Sequence, residues 1–116
     1  MNTIPIIEHR PWGSFRQFTL NEPTTVKILT VHAGEQLSLQ YHNHRTESWY
    51  VVSGTGIATI GENQFSMIPE HTYTIEPKQQ HRIYANTELI ILEIARGEFD
   101  ELDIVRLQDE YGRVNT

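Results

Sequence analysis

Apolar residues occur along this chain in short runs in which they alternate with polar residues. Side chains of a strand point alternately to its two faces, so this pattern predicts strands that bury one face. Turn-forming residues separate the runs, as at residues 21–23 (Asn-Glu-Pro) and 33–34 (Ala-Gly). Many short, evenly spaced strands predict an all-β sandwich or barrel, among which jelly rolls are prominent. The predicted strands are residues 14–20, 24–32, 36–42, 48–52, 56–60, 64–68, 72–76, 81–84 and 88–95.

The end of the chain is patterned less regularly. Helical periodicity is weak throughout, and its best candidate is a short turn near residues 98–102. The charged segment 100–116 has two interpretations, a final strand that lies over the barrel or an arm that docks a partner. No linker, repeat or low-complexity segment divides the chain, so we expect a single domain over residues 1–116.

Composition limits which classes of partner and which metal ligands are expected. The 116 residues include 9 Lys and Arg against 15 Asp and Glu, and the net charge of −6 disfavours nucleic acid or an anionic membrane as a partner. There is no cysteine, so any metal must be held by nitrogen and oxygen. Residues 1–8 lack the basic start and apolar block of a signal peptide, so a cytoplasmic protein is expected. Because small barrels with exposed edge strands often pair, we also expect a homodimer.

The predicted strand 36–42 carries the most informative polar residues. Gln40 and His42 share one face of this strand, about 6.6 Å apart, so both can reach a single ion. Glu47 follows at the start of the next apolar run, and His81 opens a later strand that could close the site. Two imidazoles, a carboxylate and an amide oxygen suit one divalent metal ion, Zn²⁺ first and then Mn²⁺, Fe²⁺, Co²⁺ or Ni²⁺.

The spacing of these residues resembles a known pattern. Gly34, Gln40, His42, Glu47 and Gly54 follow one another at the intervals of the first cupin motif, with Gln in place of the usual leading His. This replacement is similar to that in phosphomannose isomerases. The string LSLQYHNHRTESWYVVSG, which ends at Gly54, closely resembles the isomerase domain of the type II mannose-6-phosphate isomerase family, a domain that usually follows a mannose-1-phosphate guanylyltransferase domain. Further segments that resemble the family are residues 10–13, 26–27, 31–34, 103–106 and 109–113.

The resemblance implies a cupin fold, a double-stranded β-helix or jelly-roll barrel, whose metal is held by Gln40, His42, Glu47 and His81. It also implies an aldose–ketose isomerase that interconverts mannose 6-phosphate and fructose 6-phosphate. The second cupin motif departs from the family pattern, because the chain reads EPKQQ before His81, with the proline displaced and the glycine missing. We therefore expect the turn before His81 to be built differently.

Each candidate ligand also has an ordinary interpretation. Gln40 alone would be a surface or half-buried amide, His42 and His81 could be core histidines, and Glu47 could be an exposed charge at a strand end. His44 shares the parity of Gln40 and His42, so a strict His-any-His pattern would make it a ligand. The spacing to Glu47 favours Gln40 and His42, and His44 is therefore placed outside the ligand set.

Isomerisation moves a proton between C1 and C2 of the sugar and needs a general acid–base. The candidates are His44 and Glu93, because a strand ending in Leu-Glu-Ile could place the Glu93 carboxylate inside the barrel. A guanidinium suits a phosphate because it donates two parallel hydrogen bonds. The candidate phosphate ligands are Arg45, Arg82 and Arg113.

Some residues and functional classes stay open. Lys27 is either a further anion contact or a lysine at the barrel edge, and the second interpretation is favoured. Trp12 and Trp49 are expected to anchor the core. Two alternative functions are a sugar-phosphate-binding cupin without catalysis and a different metal enzyme such as an Fe²⁺ oxygenase. Gln and Glu ligands close to arginines favour a phosphorylated sugar over dioxygen.

Overall fold

The computed structural model describes residues 6–100 and 102–113. These residues form eleven strands and no helix, which confirms the all-β prediction. Within this part of the chain, there is accordingly no helix that could cross a membrane. The strands are β1 (Ile6–Arg10), β2 (Gly13–Gln17), β3 (Thr24–Val31), β4 (Leu39–Tyr41), β5 (Arg45–Ser53), β6 (Gly56–Ile60), β7 (Asn63–Met67), β8 (Thr72–Ile75), β9 (His81–Ala85), β10 (Leu89–Gly97) and β11 (Val105–Gln108).

Two antiparallel sheets enclose the core as a barrel. One sheet has the strand order β3-β10-β5-β8 and the other has the order β11-β4-β9-β6-β7. Trp49, Val51 and Ile91 from the first sheet pack with Met67 and Ile83 from the second, and none is more than 1% exposed. Burying each of these side chains stabilises the fold by on the order of 2 kcal/mol.

The inward-facing residues of the barrel change from polar to apolar along three strands. Strand alternation sends every second residue inward, and each strand contributes to the interior one polar residue followed by two apolar ones. β5 adds the buried Arg45 before Glu47, and β10 adds the buried Ala95 after Glu93. One end of the interior is therefore polar and the other apolar, and the candidate site lies at the polar end. From polar to apolar, the residues are Glu47, Trp49 and Val51 in β5, Glu93, Ile91 and Leu89 in β10, and His81, Ile83 and Ala85 in β9.

The C-terminal segment returns to the barrel as β11. It pairs antiparallel with β4 and places Arg106 opposite Gln40. Of the two interpretations of this segment, the structure therefore shows the final strand that lies over the barrel. Residues 98–100 are not helical, but Leu102 of the predicted turn does lie in a turn, in which the Asp103 amide donates to the Asp100 carbonyl at 2.9 Å. The remaining residue lies outside the described chain. The Asp100 carbonyl also accepts a hydrogen bond from Arg45 Nη1 at 3.2 Å.

β1 and β2 form a hairpin that is a two-stranded sheet of its own. The predicted strands do not include β1. Trp12 lies in the turn of this hairpin and is 73% exposed, whereas Trp49 is 1% exposed. The core prediction is confirmed for Trp49 and wrong for Trp12, because the turn of a hairpin outside the two facing sheets has no second layer to pack against.

Gly54 directly follows the last residue of β5. Its φ is +89°, and a Cβ at this position would lie 2.0 Å from the carbonyl oxygen of Glu88. Both the left-handed backbone and the close approach require glycine. The last glycine of the motif is thus explained by the packing of β5 against the loop before β10.

Candidate metal centre

Three buried side chains meet at the polar end of the barrel. His42, Glu47 and His81 each offer one ligand atom, and these atoms all lie within 4.8 Å of one another. His42 directly follows β4, Glu47 lies inside β5 and His81 begins β9, so both sheets contribute. None of the three residues is more than 5% exposed. The structure therefore brings together three of the four residues predicted to bind a metal.

Backbone carbonyls fix the orientation of the two imidazole rings. His42 Nδ1 donates to the Asp103 carbonyl at 2.6 Å, and His81 Nδ1 donates to the Gln79 carbonyl at 2.9 Å. A carbonyl can only accept, so each Nδ1 carries the proton and each Nε2 presents its lone pair. Arg45 Nη2 donates to His42 Nε2 at 3.2 Å, which agrees with this tautomer. Both rings are held in the form that a metal ligand requires.

Burial lowers the pKa of His42 and of His81 below the ordinary value for histidine. Desolvation disfavours the charged imidazolium, so both rings are neutral near neutral pH. Because an imidazole must be unprotonated at the ligating nitrogen, a metal can bind here without displacing a proton from either ring.

Glu47 is held by hydrogen bonds from two directions. Trp49 Nε1 donates to Oε1 at 3.2 Å, and Arg45 Nε donates to Oε2 at 2.9 Å. The Arg45 guanidinium also packs over the Phe99 ring, 4.5 Å from its centroid. The guanidinium charge stabilises the buried carboxylate, whose Oε2 lies 3.3 Å from His42 Nε2.

Gln40 is the amide of the predicted ligand set. It lies in the middle of β4, is 9% exposed and stands directly opposite His81 in the antiparallel register. Such opposed residues have Cβ atoms about 4.5–5.5 Å apart, so the amide is within reach of the three other side chains. Two imidazole nitrogens, a carboxylate oxygen and an amide oxygen fit a divalent metal ion.

These side chains open into a cavity of about 300 Å³. Four cationic residues line it against two carboxylates, although the whole chain carries a net charge of −6. An excess of positive charge in a cavity of an acidic protein favours an anionic ligand. The lining residues are Lys27, Leu29, Leu37, Ser38, Gln40, His42, Arg45, Glu47, Trp49, His81, Glu93, Ile104, Arg106 and Arg113.

Residues 4–109 match the sequence model of a family described as mannose-6-phosphate isomerase C-terminal. The chain belongs to this family. The alginate biosynthesis protein AlgA of Pseudomonas putida is 40% identical over 111 residues, which are 93% of this chain and 23% of that protein. The mannose-1-phosphate guanylyltransferase ManC of Salmonella typhimurium is 38% identical over 115 residues, covering 91% of this chain and 23% of that protein. The chain thus spans about a quarter of the length of these relatives.

A solved structure agrees with the family in fold. A conserved protein of Klebsiella pneumoniae with a double-stranded β-helix domain superposes with a TM-score of 0.64 at 16% identity, covering 72% of this chain and 73% of that chain. At this identity the likeness concerns the fold alone. Together with the family match, it confirms the predicted cupin fold.

Two residues predicted to take part in the reaction lie outside the cavity lining. His44 is exposed, and its backbone amide donates to Asp103 Oδ2 at 3.0 Å. Arg82 Nε donates to the Leu37 carbonyl at 3.0 Å, and its Nη2 donates to the Gln108 carbonyl at 3.2 Å. The structure therefore does not bring His44 to the metal triad, and it uses the Arg82 guanidinium to tie neighbouring segments of the sheet together.

Glu93 and Arg113 do line the cavity. Glu93 is 8% exposed, and burial, followed by the charge of Glu47, raises its pKa to about 7. Arg113 Nε donates to Asp109 Oδ2 at 2.7 Å, and its Nη2 donates to Oδ1 at 3.2 Å. These bonds lower the pKa of Asp109 to about 2, so the carboxylate stays ionised and holds the guanidinium in place.

Two of the four cationic residues that line the cavity, Lys27 and Arg106, are not among the site residues predicted from the sequence. Lys27, favoured there as a barrel-edge lysine, lies on the edge strand β3 but lines the cavity. Its neighbours Val26 and Ile28 are exposed, so strand parity was the signal that could have placed Lys27 inward. Arg106 reaches the cavity because β11 pairs with β4 opposite Gln40, and no local sequence signal specifies that pairing.

The turn before His81 contains residues 76–80, where the sequence departs from the family pattern. Lys78 occupies the place of the missing glycine and has a φ of +68°, a conformation that disfavours a side chain by about 1–2 kcal/mol. Its amide donates to the His42 carbonyl at 2.5 Å. Within the turn, Gln79 Oε1 accepts a hydrogen bond from the Glu76 amide at 3.1 Å. The turn is thus tied directly to the other histidine of the site.

Proposed function

We propose that this chain is a metal-dependent aldose–ketose isomerase that interconverts mannose 6-phosphate and fructose 6-phosphate. Membership of the family supports this reaction class. The observation that carries the proposal is the content of the cavity. It combines a candidate metal triad, a carboxyl group with a pKa of about 7 and an excess of cations.

One divalent metal ion, with Zn²⁺ as the first choice, is proposed to be held by Gln40, His42, Glu47 and His81. When bound, the ion supplies a Lewis acid that polarises the sugar carbonyl, an effect worth several kcal/mol. The protein presents neutral imidazoles and an oriented carboxylate in advance. Binding at His42 Nε2 would replace the hydrogen bond from Arg45 Nη2, because both use the same lone pair.

Glu93 is the proposed general acid–base. Isomerisation through an enediol requires one group to accept a proton from one carbon and to return it to the next. A carboxyl group with a pKa of about 7 is present in both protonation states near neutral pH, so it can do both. Both Glu93 and Glu47 line the cavity, and the charge of Glu47 contributes to the raised pKa of Glu93, so Glu93 lies beside the proposed metal site. His44 is not retained in this role because it is exposed.

Lys27, Arg106 and Arg113 are the proposed phosphate ligands, since all three line the cavity. Arg45 also lines it, but its Nε and Nη2 are directed to two of the candidate metal ligands. We therefore assign Arg45 to balancing the charge of the metal site. The three remaining cations would hold the phosphate end of the sugar while its carbonyl end faces the metal site.

Incubation of the zinc-loaded protein with mannose 6-phosphate in deuterated water tests the proposal. We expect fructose 6-phosphate to form with some solvent deuterium incorporated, and chelation to stop the reaction. Glu93→Gln should lower kcat by about 10²–10⁴-fold at unchanged zinc content. Glu62→Gln, which changes an exposed carboxylate in a turn, is the matched control. Binding of mannose 6-phosphate without conversion would contradict the proposal and favour a binding protein.

The homodimer predicted from the sequence stays a prediction. β3 is an edge strand, and its outward-facing Val26 and Ile28 are 56% and 60% exposed, which supports pairing at this surface. Light scattering at micromolar concentration should give twice the mass of one chain. The mass of a single chain would contradict the prediction.

A further inference from the structure

Asp103 binds the short connection that carries the candidate metal ligand His42. Its carbonyl accepts the Nδ1 proton of His42 at 2.6 Å. Its carboxylate accepts hydrogen bonds from the Asn43 amide at 2.9 Å, from Asn43 Nδ2 at 3.2 Å and from the His44 amide at 3.0 Å. One residue therefore fixes three consecutive residues between β4 and β5.

Asp103 also belongs to the segment that forms one wall of the cavity. We call residues 102–113 the C-terminal strap. It contains β11, which pairs with β4, and its residues Ile104, Arg106 and Arg113 line the cavity. The strap thus contacts the candidate metal site at Asp103 and the proposed phosphate subsite further along.

We propose that Asp103 is a positioning residue through which the C-terminal strap holds His42 in its metal-binding orientation. The inference rests on the proposed function and adds that metal affinity depends on the seating of the strap. An imidazole that ligates through Nε2 must keep its proton on Nδ1 and its ring aimed at the ion. A carbonyl partner on Nδ1 secures both.

The side chain of Asp103 acts on His42 indirectly, through the residues that follow it. Its charge-assisted hydrogen bonds to Asn43 and His44 keep the connection in the position where the carbonyl meets the His42 ring. Because the same contacts join strap and site, metal binding must in turn stabilise the strap. A substitution of Asp103 should therefore weaken metal binding and also reduce the stabilisation of the strap by the metal.

Zinc affinity, measured by competition with a chromophoric chelator, tests the inference without relying on turnover. Asp103→Ala removes the three carboxylate hydrogen bonds, and the affinity should fall about 10–100-fold. Asp103→Asn keeps an acceptor oxygen and should lose less. Asp109→Ala is the matched control, because this carboxylate lies in the same strap but binds Arg113, so zinc affinity should stay unchanged.

Two further measurements distinguish positioning from a general loss of stability. ¹⁵N NMR of the His42 ring should show a protonated Nδ1 in the wild type and a mixture of tautomers in Asp103→Ala. Zinc should slow amide hydrogen exchange at Val105 and Arg106 in the wild type and do so less in the variant. A merely structural role would lower the melting temperature and leave the tautomer unchanged.

The outcomes separate this inference from the proposed function. Zinc binding by the wild type, with equal affinity and an unchanged His42 tautomer in a folded Asp103→Ala protein, would overturn the inference alone. Failure of the wild type to bind zinc or another divalent metal would overturn the metal function and the inference with it. If Asp103→Ala does not fold, the same two criteria apply to Asp103→Asn.

Discussion

The two ends of the barrel interior are built on the same strands but differ in what burial does. At one end Val51 and Ile83 are fully buried among apolar side chains, and at the other Glu47, His81 and Glu93 are buried almost as deeply. Burial of the first set stabilises the fold, whereas burial of ionisable groups is unfavourable unless they are hydrogen-bonded. Within residues 6–100 and 102–113, no buried side-chain nitrogen or oxygen lacks a hydrogen-bond partner.

The comparison shows where stability and chemistry come from. The apolar end depends on side chains within strands, which interdigitate between the two sheets. The polar end depends on partners from outside the central strands, such as the Asp103 and Gln79 carbonyls that orient the imidazoles. Substitutions at the two ends should therefore have separable effects, and the predictions below use that separation.

The largest effect on stability is expected at the apolar end. Ile83→Ala removes a fully buried side chain and should lower the free energy of unfolding by about 2–5 kcal/mol, since a cavity is left behind. Urea denaturation measures this change, and zinc affinity of the folded protein should be unaffected. Ile57→Ala is the control. Ile57 is half-buried in the neighbouring strand β6, and its replacement should lower the free energy of unfolding by less. A matching loss of zinc affinity would mean that the two ends are not independent.

At the polar end we expect the free energy of unfolding to depend on pH. In the metal-free protein the raised pKa of Glu93 means that its contribution to stability is present below about pH 4.5 and is lost as pH rises to about 7. The loss amounts to at most about 3 kcal/mol. Glu93→Gln should remove this dependence and be more stable than the wild type at pH 8 by urea denaturation. Parallel stability curves for the two proteins between pH 4 and 8 would contradict the account, and Glu62→Gln should follow the wild type.

A smaller effect is expected at Arg106, one of the cationic residues that line the cavity. Arg106→Ala should weaken binding of mannose 6-phosphate by about 1.5–3 kcal/mol through loss of charge-assisted hydrogen bonds, and should hardly change binding of free mannose. Calorimetry on the zinc-loaded protein measures both. Arg10→Ala, at an exposed residue of the β1–β2 hairpin that does not line the cavity, is the matched control. Equal losses for the two sugars would show that Arg106 acts on the structure and not on the phosphate.

Local strand geometry accounts for what could be predicted from the sequence. Alternation predicts that Gln40 and His42 share one face, and both side chains line the cavity. His42, the first residue after β4, still follows this alternation, whereas His44 lies three residues beyond Tyr41 in the connection to β5 and is exposed.

Long-range pairing accounts for what could not be predicted. Arg106 reaches the cavity through the register of β11 against β4, which depends on contacts between distant parts of the chain. The partner of the His42 ring, the Asp103 carbonyl, is a backbone atom 61 residues away and has no signature in the sequence. Trp12 shows the reverse case, a residue type typical of cores that lies in an exposed hairpin turn.

Metal content is the measurement that tests the central claim most directly. After loading with zinc and dialysis, elemental analysis should find one zinc per chain in the wild type and in His44→Ala. His81→Ala should retain almost none, and Gln40→Ala should retain less than the wild type. Full zinc content in His81→Ala, or a site emptied by His44→Ala and kept in Gln40→Ala, would contradict the assignment of the metal centre.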